Sequence, residues 1–145
     1  MIGLLVVAHG DLATEILKAT EHVVGPLEAA RAIGLGPKDE LSARRAEIAQ
    51  AIEDIDQGAG VIVLTDLFGG TPSNLAIAAM GSENVDVITG VNLPMMMRLA
   101  RSRDKTRAEA VASAVEAGRK YILAASDVLG GPHARDKAIS TDAAE

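Results

Sequence analysis

Cysteine and tryptophan are absent from this 145-residue chain, which contains one tyrosine and one phenylalanine. Without cysteine, disulfide bonds and thiolate metal centres are excluded. Aromatic residues make up 1% of the chain and the formal net charge is -6. Both values argue against a nucleic-acid partner, because nucleic acid selects a basic surface and usually aromatic stacking.

Long apolar segments are also lacking. The apolar run at residues 2–8 is too short to span a bilayer and no basic segment precedes it, so we expect neither a transmembrane helix nor a signal peptide. We therefore expect a soluble, cytoplasmic protein with no direct membrane insertion. Hydrophobic residues nevertheless make up 48% of the chain, so an aliphatic core is available, and the length suits one domain.

Short apolar runs alternate with longer amphipathic ones along the chain. The predicted strands cover residues 2–8, 29–35, 61–65 and 85–89. The predicted helices cover residues 11–24, 38–57, 72–79 and 95–117, with an interruption around 101–105 and Gly118 as the last helix stop. This alternation predicts an α/β protein with a doubly wound, mostly parallel sheet and helices on both faces.

Polar residues follow the first and third predicted strands at the point where each strand ends. His9-Gly10-Asp11 follows the first strand, and Asp66 opens the segment that follows the third. The carboxyl ends of parallel strands meet at one edge of a sheet, and doubly wound sheets commonly place these two strands side by side. We therefore predict that the side chains of His9 and Asp66 are neighbours.

A carboxylate beside an imidazole permits a specific chemistry. If the carboxylate accepts the proton of one ring nitrogen, it fixes the tautomer and leaves the lone pair of the other nitrogen free to attack. Attack on a phosphoryl group produces a phosphohistidine. We therefore predict His9 and Asp66 as the catalytic residues.

A glycine-rich segment supplies donors for such a phosphoryl group. In Gly69-Gly70-Thr71-Pro72 the glycines allow close backbone approach, Thr71 suits a helix N-cap and Pro72 suits the first helical position. The free amides and the dipole of a helix N-terminus favour an anion. The predicted phosphoryl-binding residues are Gly10, Gly69, Gly70 and Thr71.

Other chemistries find less support in the pattern. No Gly-x-x-x-x-Gly-Lys stretch and no Gly-x-Ser-x-Gly elbow is present, and one histidine with one aspartate gives too few ligands for a metal. Alternatively, His9 merely ends a strand and bonds a backbone carbonyl, or the crevice serves a non-catalytic regulatory module as an anion pocket. The basic residues between Arg98 and Arg107 are typical of a solvated helix face or, alternatively, a docking patch.

Three segments carry a resemblance to a known family. They are Val6-Val7-Ala8-His9-Gly10, Asp66-Leu67-Phe68-Gly69-Gly70-Thr71-Pro72-Ser73-Asn74 and Gly90-Val91-Asn92-Leu93-Pro94-Met95. Together they resemble the IIA component of the mannose-type (mannose/fructose/sorbose) bacterial phosphotransferase system, a likeness that covers residues 1–125. It implies a sheet ordered 2-1-3-4 and a homodimer whose subunits exchange an antiparallel fifth strand, which we expect at residues 121–123.

The same resemblance implies a phosphotransferase activity. His9 would accept phosphate from the phosphocarrier protein HPr and pass it to a IIB component, for sugar uptake or regulation. Asp66 would orient the ring and the Thr71 hydroxyl would contact the phosphoryl group, without a metal or other cofactor. No IIB domain follows in the chain, so we expect IIB as a separate protein and residues 126–145 as a C-terminal tail. The phosphocarrier subunit of a dihydroxyacetone kinase is a related alternative.

Overall fold

A computed structural model of the chain describes residues 1–81 and 84–130. Its four strands form one parallel sheet ordered β2-β1-β3-β4, which confirms the expected order. The strands are β1 (Gly3–His9), β2 (Ala30–Leu35), β3 (Val61–Thr65) and β4 (Val85–Thr89). The helices are α1 (Leu12–Val24), α2 (Leu41–Ile55), α3 (Thr71–Ala78), α4 (Leu93–Ala100), α5 (Arg107–Lys120) and α6 (Ala125–Val128), with a short 3-10 turn at Ala79–Gly81.

The two central strands are buried on both faces. Every residue of β1 from Leu4 to Ala8 has no solvent exposure, and neither has any residue of β3. A strand that is covered on both faces needs apolar side chains at every position, which explains the unbroken apolar runs in the sequence. No helix of the described residues has the length and apolar character needed to cross a bilayer.

Alternate residues of β1 point into two separate cores. Leu4, Val6 and Ala8 pack on one face, in the core that also contains residues of α4 and α5. Leu5 and Val7 pack on the other face, with residues of α2 and α3. Because successive side chains of a strand alternate between faces, the side chain of His9 emerges on the α2/α3 face.

Gly118 does not end the last helix, contrary to the prediction. The helix α5 continues to Lys120. Gly118 instead lies where α5 approaches α4: a Cβ atom there would lie 2.9 Å from Met95 Cε and 3.4 Å from Asn92 Oδ1, and the Gly118 carbonyl accepts a hydrogen bond of 2.9 Å from Asn92 Nδ2. The glycine therefore allows close helix packing. The predicted interruption between α4 and α5 is confirmed, and α5 begins with a capping box of Thr106 and Glu109.

The fifth strand is not present in the described single chain. Tyr121 forms a turn after α5, the next three residues have no regular structure, and α6 follows at Ala125. Strand geometry requires a hydrogen-bonded neighbour, and among residues 1–81 and 84–130 no further strand pairs with the outer edge of β4. The helix α6 crosses the predicted tail boundary at residue 126, and residues 131–145 of that tail lie outside the described residues.

The basic residues between Arg98 and Arg107 do not form one solvated face. Arg103 is only 8% exposed, and its Nε and Nη2 donate to the carbonyl oxygens of Ile2 and Ala29 at 2.8 and 2.9 Å. The prediction of a solvated helix face is wrong for Arg103, because its guanidinium donates hydrogen bonds to carbonyls at the amino-terminal end of the sheet. Arg107 Nη1 donates to Asp86 Oδ2 at 3.0 Å, so it too has a structural partner.

Replacing Gly34 by alanine is expected to destabilise the fold strongly. A Cβ atom at Gly34 would lie 2.2 Å from the carbonyl oxygen of Gly10, a backbone atom that cannot move without displacing His9. Overpacking of this kind costs about 3 kcal/mol. Denaturant unfolding of Gly34→Ala measures the loss.

Gly36→Ala is the matched control for this substitution. A Cβ atom there would lie no closer than 3.4 Å to Asp39, so we expect a change within about 0.5 kcal/mol. Equal stability of Gly34→Ala and the unsubstituted protein would contradict the packing described for this corner.

Candidate active site

The structure places the side chains of His9 and Asp66 in direct contact, as the strand order predicts. Val7 pairs with Thr65 in the register of β1 and β3, so the residues that follow emerge together at the carboxyl edge. His9 Nδ1 lies 2.7 Å from Asp66 Oδ2. The backbone N–H of His9 donates to the same oxygen at 3.0 Å, so one carboxylate oxygen holds both the backbone and the ring of His9.

The second oxygen of Asp66 is also engaged. Oδ1 accepts the backbone N–H of Leu67 at 3.0 Å, and the side chain is 10% exposed. Burial acts to raise the pKa of Asp66, but the hydrogen bonds from the His9 backbone, the His9 ring and the Leu67 backbone outweigh it, so this pKa is lowered. Asp66 is therefore a carboxylate at neutral pH.

An ionised Asp66 determines which ring nitrogen of His9 keeps a free lone pair. A carboxylate only accepts hydrogen bonds, so Nδ1 carries the proton in the neutral ring and Nε2 keeps its lone pair. The side chain of His9 is 53% exposed, so the ring is accessible from solvent. These contacts leave no role for the alternative in which a backbone carbonyl holds the ring.

Gly70 borders the edge of the His9 ring that carries Nε2. A Cβ atom at this position would lie 3.2 Å from His9 Cε1 and 3.7 Å from Nε2. The backbone of Gly70 is extended, so it is the space beside the ring that favours glycine here. Gly69 and Gly10 differ, because both have positive φ values, of 92° and 58°, that disfavour other residues.

The N-terminus of α3 lies one residue earlier than predicted. Gly70 is the N-cap, Thr71 is the first helical residue and no side chain caps the helix. The prediction of Thr71 as the N-cap is therefore wrong, because glycine can occupy that position too. The exposed Thr71 hydroxyl makes no hydrogen bond within the described part of the chain, and Thr71 lines the same cleft as His9.

The first turn of α3 also offers backbone donors. The first amide that bonds back into the helix is that of Asn74, to the Gly70 carbonyl at 2.9 Å. The amides of Thr71 and Ser73 precede it and have no carbonyl of their own helix to bond, and the helix dipole adds positive potential there. This arrangement suits an anion next to Nε2.

The loop between β2 and α2 forms the opposite wall of a cleft of about 370 Å³. The cleft is lined by His9, Gly10, Leu35, Gly36, Pro37, Asp39, Leu41 and Thr71. Asp39 stabilises the wall, since it accepts the Gly36 N–H at 2.6 Å and Arg44 Nε at 3.0 Å, and these bonds lower its pKa. The sequence pattern predicts a turn at Gly36-Pro37 but gives no sign that this turn faces His9.

Leu41 lines the cleft, and further exposed apolar side chains lie on the segments that follow β1 and β3. Phe68, the only phenylalanine of the chain, is 75% exposed, and Leu67 is 51% exposed. Leu12 and Leu41 are about half exposed on the neighbouring elements. Exposed apolar residues grouped around a site are typical of a surface that contacts another protein. We call these four residues the apolar rim.

The third motif supports the site without entering it. The N–H of Val91 donates to the Thr65 carbonyl at 3.0 Å. Asn92 caps α4, where its Oδ1 accepts the Met95 N–H at 3.1 Å, and its amide nitrogen binds Gly118. This motif therefore attaches α4 and α5 to the end of β3.

Comparisons with known proteins agree with this geometry. The family model EIIA-man, described as the fructose IIA component of the phosphotransferase system, matches residues 3–116. The chain belongs to the mannose-type family of phosphotransferase system IIA components. A role in phosphotransfer, in the general sense of that family, follows from this membership.

Individual relatives support the same family. The chain is 32% identical over 126 residues to the mannose-specific EIIAB component of Escherichia coli K12, a match that covers 85% of the chain but only 39% of that relative. It is also 32% identical over 98 residues to the sorbose-specific EIIA component of Lacticaseibacillus casei, covering 67% of the chain and 70% of that protein.

Solved structures share the fold of this IIA component. The mannose/sorbose-specific IIA subunit from Enterococcus faecalis has a TM-score of 0.77 at 31% identity, covering 85% of the chain and 93% of that structure. The EIIA component from Streptococcus agalactiae has a TM-score of 0.79 at 27% identity, covering 87% and 98%.

Asp66→Asn is expected to lower stability at neutral pH by about 1–3 kcal/mol, the cost of one unsatisfied buried group. Each oxygen of Asp66 accepts a backbone N–H, so either orientation of the asparagine amide turns its NH₂ toward a donor. Chemical denaturation at pH 7 measures the loss. Asp11→Asn is the control, because the side chain of Asp11 makes no capping bond.

The pH dependence provides a second readout of the same variant. Because the folded-state pKa of Asp66 lies below its unfolded value, this stability is present above about pH 4 and is lost as the pH falls through the folded pKa. The difference between Asp66→Asn and the unsubstituted protein should therefore shrink below pH 4. A difference that stays constant down to pH 2 would show that the charge of Asp66 is not responsible.

Proposed function

We propose that this protein is a phosphoryl carrier that accepts phosphate from phospho-HPr on His9 and passes it to a IIB component in the cytoplasm. The observation that carries the proposal is the 2.7 Å contact between His9 Nδ1 and Asp66, on a ring that is half exposed at the start of α3. Because Nδ1 is bound to Asp66, Nε2 is the ring nitrogen that is free to accept the phosphoryl group.

In the proposed transfer step, the phosphoryl group moves from the donor to Nε2 of His9. The lone pair of Nε2 attacks phosphorus, a P–N bond forms, and the bond between phosphorus and the donor atom breaks with its electron pair remaining on the donor. The ring gains positive character, which the Asp66 carboxylate stabilises while the proton stays on Nδ1. Delivery to IIB is the reverse of this step, with an acceptor atom of IIB as the nucleophile.

The surroundings of Nε2 suit the transferred group. A phosphoryl group bears a charge of about -1.5 to -2 and needs hydrogen-bond donors. The Thr71 hydroxyl and the amides of the first turn of α3 are available, and Gly10, Gly69 and Gly70 leave the backbone open to close approach. These residues are the proposed phosphoryl-binding set.

The apolar rim supports a protein rather than a sugar as the immediate partner. Leu67 lies close to His9, since a Cβ atom at Gly70 would contact both side chains, and Phe68 follows Leu67 in the chain and is 75% exposed. A sugar is recognised mainly by polar contacts, whereas apolar side chains around a reactive residue suit the desolvated centre of a transient protein interface. The acceptor then decides whether the carrier serves sugar uptake, regulation or a dihydroxyacetone kinase.

A homodimer is part of this proposal. Ile122, Leu123 and Leu129 are 61–82% exposed in the described single chain. The outer edge of β4 pairs with no strand of residues 1–81 and 84–130. Exposed apolar side chains close to a free strand edge favour pairing of residues 121–123 with β4 of a second subunit.

Labelling with phosphoenolpyruvate, enzyme I and HPr tests the carrier. We expect one acid-labile, alkali-stable phosphate per chain, and no label on His9→Ala because the nucleophile is gone. His22→Ala, a histidine near the end of α1, should label normally. An unlabelled wild-type protein would rule out the carrier and leave the alternative of a non-catalytic anion-binding module.

Sedimentation tests the dimer. We expect about twice the chain mass of 15.0 kDa for the wild-type protein. The double substitution Ile122→Lys with Leu123→Lys should give a folded monomer, because it places charge in the proposed strand contact. The matched control Val23→Lys alters an exposed apolar residue on α1 and should leave the mass unchanged. A wild-type monomer at all concentrations would contradict strand exchange.

A further inference from the structure

A second cleft, of about 520 Å³, lies at the end of the sheet opposite His9. Its lining includes Pro26, Leu27, Glu28, Arg101, Arg103 and Asp104. It adjoins the amino-terminal ends of β1 and β2, so the seven residues of β1 separate it from His9 by about 20 Å. The phosphoryl site therefore does not account for it.

Arg103 places a buried cation in the wall of this cleft. Its Nε and Nη2 bind the carbonyls of Ile2 and Ala29, whereas Nη1 has no acceptor among the described residues. Nη1 is also not one of the fully buried unpartnered atoms, which in that part of the chain are Thr65 Oγ1 and Ser73 Oγ, so it reaches the open cleft. Burial lowers the pKa of Arg103, and the charge of Glu28 opposes this effect.

The opposite charges that line the cleft make no direct contact with one another. Within residues 1–81 and 84–130, Arg101, Glu28 and Asp104 form no side-chain ion pair or hydrogen bond, and Arg103 contacts no carboxylate. Arg101, Glu28 and Asp104 are exposed, whereas Arg103 is buried. Two guanidinium groups and two carboxylates therefore share the wall of one open cleft.

The backbone beside Glu28 is strained. Ala29 has a φ of 48°, the only positive value among the described non-glycine residues. Its carbonyl accepts bonds from the Leu4 N–H at 3.0 Å and from Arg103 Nη2, and these two bonds hold the conformation. Strain of this kind costs about 1 kcal/mol or more and clusters at ligand sites.

We propose that this cleft binds a free α-amino acid. Arg101 and Nη1 of Arg103 bind its carboxylate, and Glu28 and Asp104 bind its ammonium group. The two carboxylates would repel a simple anion, and the two guanidinium groups would repel a simple cation. A zwitterion can bind the guanidinium groups with its carboxylate and the carboxylates with its ammonium group. Pro26 and Leu27 add apolar surface, so an apolar side chain is favoured, and the volume lies within the range of small-molecule sites.

Titration of the full-length protein with each L-amino acid, followed by amide NMR and calorimetry, tests the proposal. We expect an apolar amino acid to shift the amide signals of Leu27 and Glu28 with a Kd of about 1 mM or tighter. For L-leucine, the 2-oxo acid without the ammonium group and isopentylamine without the carboxylate should each bind at least about tenfold more weakly.

Substitutions identify the groups responsible. Glu28→Gln and Arg101→Gln should each weaken binding about tenfold, whereas Arg45→Gln on the exposed face of α2 should not. Arg103 is left intact because it also holds the sheet. Phosphoryl labelling of His9 without amino acid serves as the fold control and should be unchanged in both variants. The proposal is overturned if no amino acid shifts these signals at about 10 mM, if the two analogues bind as tightly as leucine, or if neither variant weakens binding.

Discussion

The carboxylate of Asp66 is the contact on which the active end of the molecule depends. It accepts the backbone N–H of His9, the ring of His9 and the backbone N–H of Leu67, so a single side chain joins the end of β1 to the loop that follows β3. Its charge determines the tautomer of the ring, and its two backbone contacts hold the end of β1 and the start of the loop after β3. The orientation of the His9 ring and the local path of the backbone therefore have the same cause.

Much of this architecture follows from the sequence because the sheet leaves few alternatives. The unbroken apolar runs of β1 and β3 identify them as central strands, and two polar residues at their ends must then meet at one edge. The glycine-rich segment also has a physical explanation at each of its two glycines. The limited space beside the His9 ring favours glycine at position 70, and a positive φ favours it at position 69.

The errors arise where one residue type serves two physical purposes. Glycine ends helices and also permits close helix packing, and at Gly118 the second purpose applies. Arginine is common on exposed helix faces, but it also donates hydrogen bonds to backbone carbonyls that lack another partner. Arg103 serves the second purpose, since it donates to the carbonyl of Ile2, 101 positions away along the chain. Contacts between residues so far apart in the chain leave no periodic pattern in the sequence. For the same reason, the sequence does not indicate that the loop between β2 and α2 faces His9.

The alternation of β1 has a consequence for how this family can vary. The imidazole of His9 projects toward α3 because alternate residues of a strand point to the same face, and Leu5 and Val7 are buried on that face. Deleting or inserting one residue within the strand would turn the ring to the opposite side, away from Gly70 and the amides of α3, while the apolar run would remain apolar. Length changes in evolution should therefore be confined to loops, even though almost any aliphatic substitution in the strand preserves its hydrophobicity.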